Sequence, residues 1–360
     1  MRLQLVALLA VALVLVLTAR AAHAQVADAE PGKGDAKGSV GVYADSDRTT
    51  VLTSVAEGSV RLKQPVIVSA HALVDTVSSA SVDVISAATP RFDENRIELG
   101  ATAQIGFSQA TEGSIGYTHS GENDWQSHAV EVGLSRDLAK KNARLSLGYG
   151  FTRNHVGRAH DPSFEKLLDI HGAQLGLSQI LDRKTLASLA YTLSSATGYQ
   201  RSPYRFVTTM DGVSAPESPP ESRLRHAITA RVMRAFGAGN VIDAQYRFYF
   251  DDWGVLSHTV ELAYSRELTD AWSLRLRVRG YRQRHAGFYR ETYEMPLRYM
   301  TVDRELSAFS DGLGGIKLAY LGESWDLEAK LDTIVYRFDD YARLRGRVAI
   351  VSDLGVTWRW

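Results

Sequence analysis

The stretch YRFYFDDWGVLSHT sets Asp251, Asp252 and Trp253 a few residues before Ser257 and His258. A hydroxyl, an imidazole and two carboxylates so close together are the groups of nucleophilic or acid–base catalysis, and the same atoms can ligate a metal. The plainer reading is that the aspartates end a strand and His258 stands at a rim. The chain contains no G-x-S-x-G, H-E-x-x-H or P-loop to raise the catalytic reading above the plain one. Asp75 and Asp83 occupy equivalent places in a unit written twice, VDTVSSAS and VDVISAAT. They could bind calcium, but hydrogen bonding within a loop is the simpler use.

A third constellation is a ladder. In RLRVRGY, Arg275, Arg277 and Arg279 alternate with Leu274, Leu276 and Val278. In an extended chain this puts all three guanidiniums on one face. The neighbouring alternating segments place Asp243, Arg247, Glu261 and Lys317 on that face, and Asp326, Glu328 and Asp332 follow two segments later. Lys317 alone stands between the two sets, so the expectation is a polarised wall with incomplete pairing. A salt-bridged wall is the bland alternative.

These residues must be carried by strands. Beyond about Lys37 the apolar period is two and rarely becomes 3.6. RIELGATAQIGF shows it: Ile97, Leu99, Ala101, Ala103, Ile105 and Phe107 share one face. About 16 such segments occur, and most are longer than soluble strands and long enough to cross a bilayer at a tilt. Their apolar faces end in aromatics such as Phe107, Tyr117, Tyr149, Tyr191, Tyr246 and Trp325, which suits a girdle at lipid headgroups. Short links such as SQATEG, LDRKT, FGAGN and LGES interleave with long ones at 153–168, 198–222 and 282–311, and all nine prolines fall in links or loops. The fold predicted is all-β: one antiparallel transmembrane barrel of about 16 strands, with 14 as the alternative if the weak first hairpin is lost. The charged ladder then lines the lumen, because an arginine or lysine facing lipid at the midplane costs roughly 2–4 kcal/mol.

The ends agree with this reading. Residues 1–24 have a basic start, an apolar run and Ala22-His23-Ala24, the pattern of a cleaved secretory leader. Residues 25–37 are expected to be a flexible segment and 38–360 the barrel. The chain closes on LGVTWRW, with Leu354, Val356, Trp358 and Trp360 on one face, which resembles the signal read by the outer-membrane insertion machinery. Cysteine is absent, so no disulfide framework is available, and Lys plus Arg balance Asp plus Glu at 41 each, leaving no basic stripe for nucleic acid. No cofactor is called for. The expected surroundings are outer-membrane lipid of a Gram-negative bacterium and the insertion machinery.

Four motifs resemble a bacterial barrel family catalogued as domain of unknown function 3570: DRTTV (Asp47 to Val51), VDVISAATP (Val82 to Pro90), YRFYFDDWGVLSHT (Tyr246 to Thr259) and DRELSAF (Asp303 to Phe309). The resemblance implies an outer-membrane location and no established activity. Members are encoded near exported flavin-transfer and thioredoxin-like proteins, which implies a periplasmic redox partner. Three functions stay open: a pore or conduit with a charged lumen, a scaffold for such a partner, and a membrane-embedded hydrolase using the Ser257–His258 region.

Overall fold

The computed structural model describes residues 32–63, 65–79 and 92–360. The leader, Asp83 and the Val82 to Pro90 motif lie outside these residues. The chain first climbs and descends through β1 (Gly34–Asp45), β2 (Thr49–Lys63), β3 (Val66–Ser79), β4 (Phe92–Ser108), β5 (Thr111–Gly121) and β6 (Trp125–Leu138). It continues through β7 (Ala143–Val156), β8 (Lys166–Asp182) and β9 (Thr185–Gly198), and then makes a small hairpin, β10 (Phe206–Thr208) and β11 (Ser214–Pro216). The rest is β12 (Ser222–Ala235), β13 (Asn240–Asp251), β14 (Leu256–Glu267), β15 (Trp272–Gln283), β16 (Phe309–Leu321), β17 (Trp325–Phe338) and β18 (Gly346–Arg359). All strands except β10 and β11 form one closed barrel of sixteen, each antiparallel to its neighbours in sequence, with β18 returning to β1. The first hairpin is therefore part of the wall. Its opening strand begins at Gly34, so residues 34–37, expected in the flexible segment, are already paired with β2 and β18.

Period two is what makes this wall. The sixteen wall strands run from 11 to 17 residues, enough to cross a bilayer when tilted. Their outward positions are large and apolar, and they stay exposed: Ile97 and Leu99 on β4, Leu276 and Val278 on β15, Leu331 and Val335 on β17. A soluble sheet would have hidden these side chains; here lipid is the medium that takes them up.

Four polar pairs interrupt that apolar face in a repeated way. The hydroxyls of Tyr117, Tyr149, Tyr191 and Tyr246 each lie 2.7 Å from the Nδ1 of a histidine on the adjoining strand, respectively His128, His171, His226 and His258. Each ring thereby meets part of its neighbour's hydrogen-bonding need where water is scarce.

Both termini and one set of connections, each of two to four residues, fall at one end of the barrel; the long connections 157–165, 199–221 and 284–308 fall at the other, beside the short β1–β2, β5–β6 and β13–β14 turns. The buried apolar clusters gather at this loop end. One joins Val207, Tyr293, Met300 and Val302 from two loops; a second joins Trp253, Val255, Ala286 and Tyr289; a third lies on the wall at Val156, Leu168 and Ala196.

Candidate functional site

The arginine ladder is on the inner face of β15, and its charges are paired. Arg275 and Arg231 both reach Asp243, at 3.0 and 2.7 Å. Arg279 reaches Asp311 at 2.8 Å. Arg277 crosses over β16 to Asp332 at 2.7 Å, with Glu261 at 3.8 Å on its other side. Lys317 bonds Glu328 at 2.6 Å, Lys330 lies 3.0 Å from Asp332, and Arg359 holds Asp326 at 2.6 Å. The three ladder arginines are thus paired, more fully than expected, while Arg247 on the same face has no carboxylate in contact among the described residues. The crossing is possible because Gly315 stands between Arg277 and Asp332; a Cβ there would sit 1.9 Å from Asp332 Oδ1. Arg231, Asp311 and Lys330 complete these pairs and were missed in the sequence. Their inward parity along β12, β16 and β17 was the available signal.

Ser257 and His258 do not form a catalytic pair. As neighbours in β14 they point to opposite sides of the wall: Ser257 is buried inside, whereas His258 is bound to Tyr246 on the outer face. Asp251 accepts from Arg223 Nε at 2.9 Å, the Tyr249 hydroxyl at 2.6 Å and the Val255 amide at 2.9 Å. Asp252 accepts from the Leu224 amide at 2.9 Å, and Trp253 donates to the Ser222 carbonyl at 2.8 Å. Asp251, Asp252 and Trp253 are thereby engaged in joining strand ends to the turn between β13 and β14. Asp75 accepts from Thr53 at 2.6 Å and lies 4.0 Å from Arg96.

Two long loops, 199–221 and 284–308, fold together over the loop end. Backbone bridges join Thr209 to Tyr293 and Ser218 to Met300. Glu217 is buried between them and accepts from Thr301 Oγ1 at 2.8 Å and the Ser202 amide at 2.7 Å, with Arg205 at 3.3 Å. Arg205 also binds Asp303 at 2.8 Å. Several bonds hold this cap to the rim, among them the Gly287 amide to the Trp253 carbonyl at 2.7 Å and the Tyr289 hydroxyl to the Asp340 carbonyl at 2.8 Å. Tyr204 donates to Asp124 in the β5–β6 turn and accepts from the Ala159 amide at 2.6 Å. Arg304 binds Asp47 in the β1–β2 turn at 2.5 Å. The cap also packs on the wall through Phe288 against Trp253, ring centroids 5.1 Å apart. The DRTTV, YRFYFDDWGVLSHT and DRELSAF motifs therefore meet at this mouth.

Burial pushes the Tyr204 hydroxyl up to about 12, with the bond to Asp124 adding to the rise. The Glu217 carboxyl is also raised by burial, against the pull of Arg205. Glu122 is raised by burial and by Asp124, against Arg96. Glu94, Glu122 and Asp124 bring one oxygen each within 4.8 Å of one another, a spacing a divalent cation could use, although Arg96 already offsets part of that charge and the Tyr204 hydroxyl donates to Asp124.

Beneath the cap lies a cavity of about 690 Å³. Its walls come from β4 (Glu94), β12 (Arg223, Arg225), β13 (Arg247, Tyr249) and β15 (Tyr281), and its roof from Tyr199, Tyr204 and Arg205. Sequence reading placed Arg247 on this face and missed Arg225, which the same alternation puts beside it.

By fold, the chain is similar to a bacterial polysaccharide outer membrane secretin, with 9% identity and a TM-score of 0.53 over 90% of this chain and 98% of that one. It is also similar to CdiB from Acinetobacter baumannii, with 8% identity and a TM-score of 0.54 over 91% of this chain and 60% of that one. At such identities the likeness speaks for the barrel alone. No curated protein matches it by sequence. The profile described as "Protein of unknown function (DUF3570)" matches residues 81–168 and 165–352, which take in the VDVISAATP, YRFYFDDWGVLSHT and DRELSAF motifs and begin after DRTTV. The closed barrel of sixteen strands and that match lead to one conclusion: the chain belongs to the DUF3570 family.

Proposed function

We propose that the protein is a passage for small hydrophilic solutes through the outer membrane of a Gram-negative bacterium, closed at rest by its own loops. The observation that carries this reading is the capped lumen. Sixteen strands enclose space beyond what side chains alone fill, the inner wall is charged, and a cavity of about 690 Å³ persists under a cap held to the rim by polar bonds and an apolar cluster. The Arg304–Asp47 pair is nearly out of contact with solvent, so removing one partner should cost roughly 3–5 kcal/mol and loosen the cap. In this reading the leader exports the chain, the insertion machinery recognises the strand ending in Trp358 and Trp360, and the loop end faces the exterior.

Planar-bilayer recording tests it. The wild type should conduct weakly or in brief openings, and Arg304→Ser, which removes the tether to Asp47, should lengthen the openings. If both proteins are folded and electrically silent, the passage is wrong and a scaffold for a periplasmic redox partner takes its place.

A further inference from the structure

The inner arginines of β12–β15 divide into two groups. Arg223, Arg231, Arg275, Arg277 and Arg279 each have a carboxylate within 3.0 Å. Among the described residues, Arg225 and Arg247 have none; the Arg247 guanidinium lies over the Tyr249 ring at 5.4 Å, and Arg225 has no hydrogen-bonded partner. Both line the cavity under the cap. The nearby acids are already engaged: Asp251 with Arg223 and Tyr249, Asp252 with the Leu224 amide, Asp303 with Arg205, Glu305 with Arg304 at 3.4 Å, and Asp243 with Arg231 and Arg275. Elsewhere on this wall each inner arginine has a carboxylate in contact, and in the cavity under the cap two guanidiniums have none.

We infer that this cavity binds a small organic dianion bearing carboxylate or phosphate groups, with Arg225 and Arg247 as its anchors. The inference rests on the passage reading and names the solute class. A guanidinium fork matches both anions in planar, two-point geometry, and a partly desolvated fork gains more from such a partner than one in water. Spacing favours two charges on one ligand. Arg225 is level with Asp251 in the register, and Arg247 stands four residues further along β13, which is about 13 Å of strand. Two long side chains converging from that separation can hold the two ends of a short dicarboxylate. Tyr199, Tyr249, Tyr281 and Trp253 offer rings to its carbon body. The acidic cluster of Glu94, Glu122 and Asp124, standing on β4 and the β5–β6 turn, repels anions and so turns the ligand toward the arginines. A volume of about 690 Å³ suits a metabolite and excludes a polymer.

The test is isothermal titration of the purified full-length protein in detergent with succinate, citrate, inorganic phosphate, acetate and glucose. Succinate or citrate should bind more tightly than acetate, and glucose should not bind; the ratio of carboxylate to phosphate affinity decides between the two anion types. Arg225→Gln and Arg247→Gln should each weaken dianion binding at least tenfold, whereas Arg266→Gln, at the turn end, should leave it unchanged. Heat-modifiable migration checks folding. If a glutamine variant fails to fold, Arg225→Lys and Arg247→Lys keep the charge and lose the fork, and must still weaken binding. No binding of any anion by folded wild type, or equal affinity in the arginine variants, overturns the inference. Conductance measured on the same preparation keeps the two ideas apart: conduction without binding sinks the anion site alone, and binding without conduction sinks the passage alone.

Discussion

Gly315 decides where the charge of Arg277 goes. With no side chain on β16 at that point, the guanidinium passes over the strand and reaches a carboxylate that is nearly out of contact with solvent. Gly315→Ala would put a Cβ 1.9 Å from Asp332 Oδ1 and 3.1 Å from Arg277 Cγ, so the carboxylate must leave its place. The expected cost is about 1–3 kcal/mol, the range for leaving a buried polar group poorly satisfied, read as a lower denaturant midpoint in micelles. Replacing Arg275, Arg277 and Arg279 together by serine should likewise impair folding, because it removes partners from Asp243, Asp311 and Asp332. A fully folded triple variant with altered ion selectivity would instead return the ladder to the role of a free pore lining. Alternation in the sequence placed these arginines on the correct face. It could not reveal their partners, since a bond that skips a strand depends on which residue the intervening register presents, and a glycine in a strand has no periodic signature of its own.

At the scale of elements, the cap is the part least legible in advance. Long links were evident from the broken period, but what turns 199–221 and 284–308 inward is a set of contacts between the two loops, such as Glu217 with Thr301 and Val207 with Tyr293, and local pattern carries no trace of them. One position launches the first loop. Gly198 has φ +117° and its Cβ would meet the Leu167 carbonyl oxygen at 2.3 Å, so Gly198→Ala should strain the exit from β9. Faster proteolysis within 199–221, with the barrel still resistant, is the expected result. The cap should also respond to pH. Glu217 and Glu122 have raised carboxyls, so the stability linked to them is complete below the ordinary carboxylate range and is lost as pH rises through their higher native values. Asp161 and Asp211, both in outer loops, are lowered by bonds to Ser163 and Thr209, and their contribution is lost only below that range. Between the two windows the cap is tightest. Amide exchange in 199–221 should therefore be slower near pH 5 than near pH 8 after correction for intrinsic rates, and equal protection at both would count against the buried carboxylates.

For the molecule as a whole, sixteen strands, their parity and the two unlike ends were all readable, because a wall with lipid on one side and charge on the other must repeat every second residue for its whole length. The start of the wall was read four residues late, since GDAKG lacks the large apolar side chains that mark an outward face. Closure depends on the seam between β1 and β18, where the Gly34 amide donates to the Trp360 carbonyl at 3.2 Å and the Trp360 amide to the Gly34 carbonyl at 3.0 Å. The Trp358 and Trp360 rings pack 4.5 Å apart beside it. Deleting Trp360 removes both bonds and one ring, and should lower the yield of heat-modifiable protein in outer-membrane fractions; an unchanged yield at every expression level would show that the seam closes without it. The same seam makes the ring of strands indifferent to where the chain is cut. Residues 34 and 360 stand side by side, so a short linker can join them and the chain can be reopened in the FGAGN link between β12 and β13, giving a circular permutant with every ladder kept. Such a permutant would carry the terminal tryptophans in mid-chain, and so would separate the information that builds the barrel from the information that delivers it.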